Sequence, residues 1–166
     1  MPVTHNVLTA DSSTSDATSY ATASITPGAN RLVLLAVLST VGSGTPETPT
    51  VTGCNLTWVQ ISTSILGTSD GRLTLFRALG TPSTEALTIE FGVGNTQLSC
   101  GWSVIEFINV IQTGTHGSGA IIQAVTQNND ESGGANITIP LAAFGSAARG
   151  IVIFAPPDSS LFWVTA

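Results

Sequence analysis

The chain has 166 residues, a length that suits one domain with enough core to fold without disulfide or metal staples. Only 8% of its residues are charged, lysine is absent and the formal net charge is −6. That leaves no electrostatic footprint for a nucleic-acid backbone and no polybasic anchor for a membrane surface. The polar remainder is largely Ser, Thr, Asn, Gln and Gly, which suits strands and tight turns better than exposed helices.

Residues 1–19 carry almost no hydrophobic pattern, and 11–16 read Asp-Ser-Ser-Thr-Ser-Asp. They are expected to form an N-terminal arm or loop before a single domain over 20–166. They also lack a basic segment followed by an apolar core, so no signal peptide is expected. Residues 20–26 alternate weakly and stop at Pro27-Gly28, a turn dipeptide whose glycine is free to take positive φ. Residues 31–39 are apolar almost throughout; a buried strand is the better reading, with a short buried helix as the alternative. A strand opens at 50–52 and breaks at Gly53. Residues 56–65 alternate, and Asp70-Gly71 signals a hairpin into the strand at 72–78. Over 86–91, Leu87, Ile89 and Phe91 share one face, with Thr88 and Glu90 on the other.

The strongest segment is 98–110. Leu98, Cys100, Trp102, Val104 and Ile108 occupy one face, and Ile105 and Phe107 the other, so it is expected to lie inside a sheet covered on both sides. Strands are also expected at 120–127, 136–139 and 150–154, with a polar loop at 128–134 and a short helical stretch at 141–148. The sum is all-β: an antiparallel β-sandwich, jelly-roll-like, of about eight to ten short strands. Trp102, Val104, Leu34, Leu73, Leu75, Ile89 and Phe91 are expected to be buried together.

The end of the chain is apolar. Leu161, Phe162, Trp163 and Val164 follow the rigid Pro156-Pro157, and leaving Phe and Trp in water forgoes roughly 2–3 kcal/mol of burial each. This segment is expected to dock as an edge strand of its own sheet, with Phe162 or Trp163 reaching an oligomer interface.

Chemistry is sparse, and the chain is expected not to be an enzyme. His5 and His116 flank no nucleophile motif, and no Gly-x-Ser-x-Gly occurs. Glu90 and Glu106 are the candidate carboxylate pair for glycoside cleavage, if their strands are neighbours. The plainer reading places Glu90 on a solvent face and Glu106 where its strand emerges. Trp58, Trp102 and Trp163 read as core or interface anchors rather than sugar platforms. Oxygen ligands cluster at Asn128, Asp130 and Glu131, and at Asp11 and Asp16, without the spacing of a calcium loop. The two cysteines and two histidines lie too far apart for zinc spacing, so no metal and no cofactor are expected. Cys54 and Cys100 are expected to be unbridged.

Three stretches together resemble a β-sandwich domain that recurs in structural proteins of tailed bacteriophages and prophages. They are residues 25–37 (Ile-Thr-Pro-Gly-Ala-Asn-Arg-Leu-Val-Leu-Leu-Ala-Val), residues 56–61 (Leu-Thr-Trp-Val-Gln-Ile) leading to 72–78 (Arg-Leu-Thr-Leu-Phe-Arg-Ala), and residues 100–107 (Cys-Gly-Trp-Ser-Val-Ile-Glu-Phe). The likeness covers about residues 20–125 and consists of packing motifs. It implies a non-enzymatic virion protein made in the host cytoplasm: a capsid decoration or head-associated protein. Its partners would be a major capsid or other virion protein and copies of itself, a trimer among the options. It implies no catalytic residues. Such domains usually run on through more strands, so the last strands are expected to be missing or supplied by another subunit. Two other readings stay open: a carbohydrate- or receptor-binding module of a tail fibre or cell surface, and a strand-exchanged filament subunit.

Overall fold

Alternation at period two on residues that are apolar on both faces puts a strand in the middle of a layered structure, and two segments of this chain meet that condition. The computed structural model describes residues 1–66, 70–121, 123–124, 150–152 and 163–165. The strands are β1 Thr4–Ser13, β2 Ser19–Ala21, β3 Leu32–Thr40, β4 Thr50–Thr52, β5 Val59–Leu66, β6 Gly71–Ala78, β7 Thr88–Glu90, β8 Ser99–Ile108, β9 Gly150–Val152 and β10 Trp163–Thr165. A five-stranded sheet runs β1-β8-β3-β6-β5 and a three-stranded sheet runs β2-β7-β4, every neighbouring pair antiparallel. The fold is an antiparallel β-sandwich. Up to β5 the chain steps from one sheet to the other with each strand, as jelly rolls do.

The core between the sheets follows from the registers. Val33, Leu35 and Val37 of β3 lie beside Phe76 of β6 and Cys100, Trp102 and Val104 of β8. Across the layer they meet Tyr20, Ile25, Leu87, Ile89 and Phe91 from the smaller sheet and its flanks. Tyr20 and Phe91 meet edge to face at 6.1 Å. The outer face of the large sheet holds a second cluster, Leu32, Leu34, Ile105 and Phe107, with Val110, Ala120 and Ile121 packed on it. A 3-10 segment, Thr115–Ala120, brings those last residues back over the sheet. Its Gly117 sits at φ +80, where a Cβ would come within 2.9 Å of Leu32.

The segment at 98–110 forms β8, which lies inside the large sheet between β1 and β3 and is buried on both faces as expected, while the middle strand of the five is β3. Several expectations shift. Leu34 belongs to the outer cluster, since it sits one residue out of phase with Leu35. Leu73 and Leu75 are only half-buried: on β6 the inward set is Thr74, Phe76 and Ala78, all within 4% exposure. Leu98 precedes its strand and is 45% exposed. Residues 1–19 are no free arm, for 4–13 form the ten-residue strand β1. An edge strand is held by its backbone ladder to β8, and that ladder leaves no mark on hydrophobic alternation.

Trp102 is 9% exposed and packs between the sheets, on the strand next to the sheet's centre. Trp102→Ala is expected to lower unfolding stability by about 3–5 kcal/mol, as large-to-small core changes do, measured by denaturant titration.

Candidate functional site

The two carboxylates singled out in the sequence are not brought together. Glu90 is exposed on β7, in the small sheet, whereas Glu106 is 2% exposed on β8, in the large one. Their strands are therefore not neighbours. Glu106 has a structural occupation. Its Oε1 accepts from Arg31 Nη1 at 2.5 Å and more weakly from Asn6 Nδ2 at 3.5 Å, and its Oε2 accepts from the Gly28 backbone N–H at 2.9 Å. The carboxylate thus ties the Pro27-Gly28 turn to β8. Gly28 does not take positive φ; a Cβ there would lie in the path of the Arg31 guanidinium, so a larger residue would push that side chain aside. The left-handed residue of that turn is Asn30, at φ +58.

The other candidates are scattered. His5 lies on β1 beside Phe107, with ring centroids 6.2 Å apart, and His116 lies in the 3-10 segment at φ +50. Asp11 accepts the backbone N–H of Ser12. Asn128, Asp130 and Glu131 lie outside the described residues, as do Leu161 and Phe162. Trp163 and Val164 belong to β10, which pairs antiparallel with β9, Trp163 opposite Val152 and Val164 opposite Ile151. That ladder is separate from both sheets of the sandwich. Cys54 and Cys100 are free and buried. Burial pushes the Cys100 thiol up to about 12, and it raises Cys54 as well, helped by the Glu85 carboxylate. Thiols held protonated in this way are poor nucleophiles.

A cleft that the sequence reading did not single out lies beside β4. It has a volume of about 600 Å³ and is lined by residues that include Thr52, Gly53, Asn55, Leu56, Trp58 and Glu85. Its floor is an unusual turn in which Gly53, Cys54 and Asn55 all take positive φ, at 121°, 58° and 51°. Non-glycine residues adopt that region at a cost of about 1–2 kcal/mol each, so the surroundings must hold them there. They do: the Cys54 carbonyl accepts from Ser83 N at 2.9 Å, and the Gly53 carbonyl accepts from Trp58 Nε1 at 3.2 Å and Leu56 N at 3.3 Å. A Cβ on Gly53 would meet the Ala86 carbonyl oxygen at 2.6 Å. Trp58 is therefore fixed by its ring nitrogen, half-buried against the sandwich core and partly open to the cleft. The signal available in the sequence was Gly53-Cys-Asn55 followed by Trp58. It marks a tight turn, and nothing in it says that the turn borders a cleft.

The chain finds no match among protein-family models, curated proteins or solved structures. The residues themselves thus carry whatever functional reading is made.

The ion pair is asymmetric: the Glu106 side chain is 3% exposed and that of Arg31 is 37% exposed. Removing the arginine strands a buried charge, while removing the carboxylate leaves a cation that water can reach. Arg31→Ala is therefore expected to cost about 3 kcal/mol, the lower end for breaking a buried pair. Glu106→Gln, which keeps an acceptor for Gly28, is expected to cost about 1 kcal/mol. Paired urea titrations check the order; equal costs would contradict it.

Proposed function

We propose that this chain is a non-enzymatic structural protein of a tailed-phage particle, a capsid decoration or head-associated protein that binds the shell as a homo-oligomer. The resemblance of its packing motifs to phage structural domains supports the reading, and so does the sandwich those motifs build. The observation that carries it is one end of the sandwich. There Val93 is fully exposed at the tip of the turn before β8, and Leu98 is 45% exposed just behind it. A groove of about 330 Å³ lies alongside, lined by residues including Ser43, Thr45, Glu47, Asn95 and Thr96, with a single carboxylate among them. Uncharged polar groups around projecting aliphatic side chains suit lasting contact with another protein surface. Purified particles from the producing cells should contain the chain in stoichiometric amounts by mass spectrometry, and Val93→Asp with Leu98→Asp should reduce its occupancy severalfold. Absence from particles would sink the reading.

The cleft at Trp58 favours a second reading, a glycan- or receptor-binding module. A tryptophan fixed at the wall, with Asn55, Thr57 and Glu85 around it, combines an apolar surface with hydrogen-bonding groups as sugar sites do. Oligosaccharide titration followed by tryptophan fluorescence should then show saturable binding that Trp58→Ala abolishes. Binding that survives the substitution would place the ligand elsewhere.

A further inference from the structure

The cleft at Trp58 engages most of its hydrogen-bond donors internally and leaves its acceptors. The Trp58 ring N–H donates to the Gly53 carbonyl at 3.2 Å, and the Asn55 side-chain amide donates to the Thr81 carbonyl at 3.4 Å. The Cys54 thiol donates to the Glu85 carbonyl at 3.3 Å, and the Ser83 hydroxyl to Glu85 Oε2 at 3.1 Å. What these bonds leave for a ligand is the amide oxygen of Asn55, the second carboxylate oxygen of Glu85 and the face of the Trp58 ring. Asn55 and Glu85 are exposed and Trp58 is half-buried, and all three line the cleft.

The charge there has one sign. Among the described lining residues Glu85 is the one ionisable side chain, and the sequence contains no lysine. Two of the arginines are held elsewhere, Arg31 by Glu106 and Arg72 by the Pro46 carbonyl and the Thr63 hydroxyl. An anionic sugar would therefore meet a carboxylate and the negative face of an indole, with no cation to offset them. An ammonium meets both favourably, through a charge-assisted hydrogen bond and a cation–π contact.

The two groups are in place before a ligand arrives. Glu85 exchanges both backbone bonds with Ile25, at 3.0 and 3.1 Å. Its carbonyl is tied to Cys54, and Trp58 is tied to Gly53, so carboxylate and indole are anchored to one strained turn. Binding then carries little ordering cost on the protein side. A sugar ring suits this frame better than a lysine side chain as the carrier of the ammonium. It is rigid, it offers an apolar C–H face to the indole, and its hydroxyls can donate to Asn55 and Thr57, whereas a lysine stem must be immobilised. At about 600 Å³ the cleft is also within the size range of small-ligand pockets.

We propose that the Trp58 cleft binds a saccharide carrying a free amino group, its ring stacked on Trp58 and its ammonium on the Glu85 carboxylate. This rests on the glycan-binding reading of the cleft and narrows it to cationic amino sugars.

Calorimetric titration of the full chain with a glucosamine oligosaccharide, and with the glucose oligosaccharide of the same length and linkage, tests it. The solution is held at about pH 6, below the usual range of an amine and above that of a carboxylate. The amino form should bind at least about tenfold more tightly. That preference should fall as salt is added. Glu85→Gln keeps an acceptor for Ser83 and should bring the two affinities within about twofold, with circular dichroism unchanged. Should that variant misfold, the salt series on the wild-type chain decides instead. Equal binding of the two sugars, a preference that salt does not reduce, or one that a folded Glu85→Gln retains would overturn the proposal; if Trp58→Ala still abolishes binding, the broader glycan reading stands. A lysine peptide that binds more tightly than the amino sugar would also overturn it, by making the occupant a protein. Binding of neither sugar brings down both readings.

Discussion

Everything in this molecule depends on β3 being covered on both faces. Leu32 to Val37 are each no more than 8% exposed, which a strand achieves only with a packed layer above and another below. The inward half of that burial fixes where the small sheet lies, because Ile89 and Phe91 have to reach Leu35 and Val37 across the layer. The outward half forces the chain after β8 to turn back over Leu32 and Leu34, which the 3-10 segment does. Gly117 is the tolerance on that return: its missing side chain is the space Leu32 and Leu79 occupy. The fold is thus set by a short apolar run, and most of the polar chemistry has been drafted into holding the layers in register.

How much of this was legible in the sequence depends on the kind of force involved. The strands that bury side chains announced themselves: Leu87, Ile89 and Phe91 by strict alternation, residues 31–39 by unbroken apolar character, and the β5–β6 hairpin by Asp70-Gly71. Phase was harder. Leu34, Leu73 and Leu75 are as hydrophobic as their neighbours, and only the observed register tells which of two apolar residues faces which layer. On β6 the small Thr74 and Ala78 go inward because Phe76 between them already fills the space, an outcome no propensity encodes. β1 was invisible because backbone hydrogen bonds form the strand, whatever its sequence. The Trp58 cleft was equally hidden, because a concavity is made by distant segments, residues 51–58 and Glu85, that the sequence does not place side by side.

The Glu106–Arg31 pair shows how a residue that looks catalytic can be wholly structural. A buried carboxylate in a protein so poor in charge invites a mechanistic reading. Here it receives a guanidinium, a backbone N–H and an amide, and those contacts occupy both of its oxygens. In this arrangement the glycine at 28 leaves the arginine its path, and a left-handed asparagine at 30 aims the chain into β3. Three residues of an irregular loop, Gly28, Asn30 and Arg31, are therefore tied to one acid on a distant strand.

The buried, unpaired thiols of Cys54 and Cys100 have a bearing on where the protein can live. Small proteins that leave a reducing interior often depend on cross-links made after export, and those that stay inside are damaged when their thiols meet oxidants. This chain does neither. Both sulfurs are shut inside the sandwich and held in the protonated form, so its covalent structure is the same on either side of a change in redox surroundings.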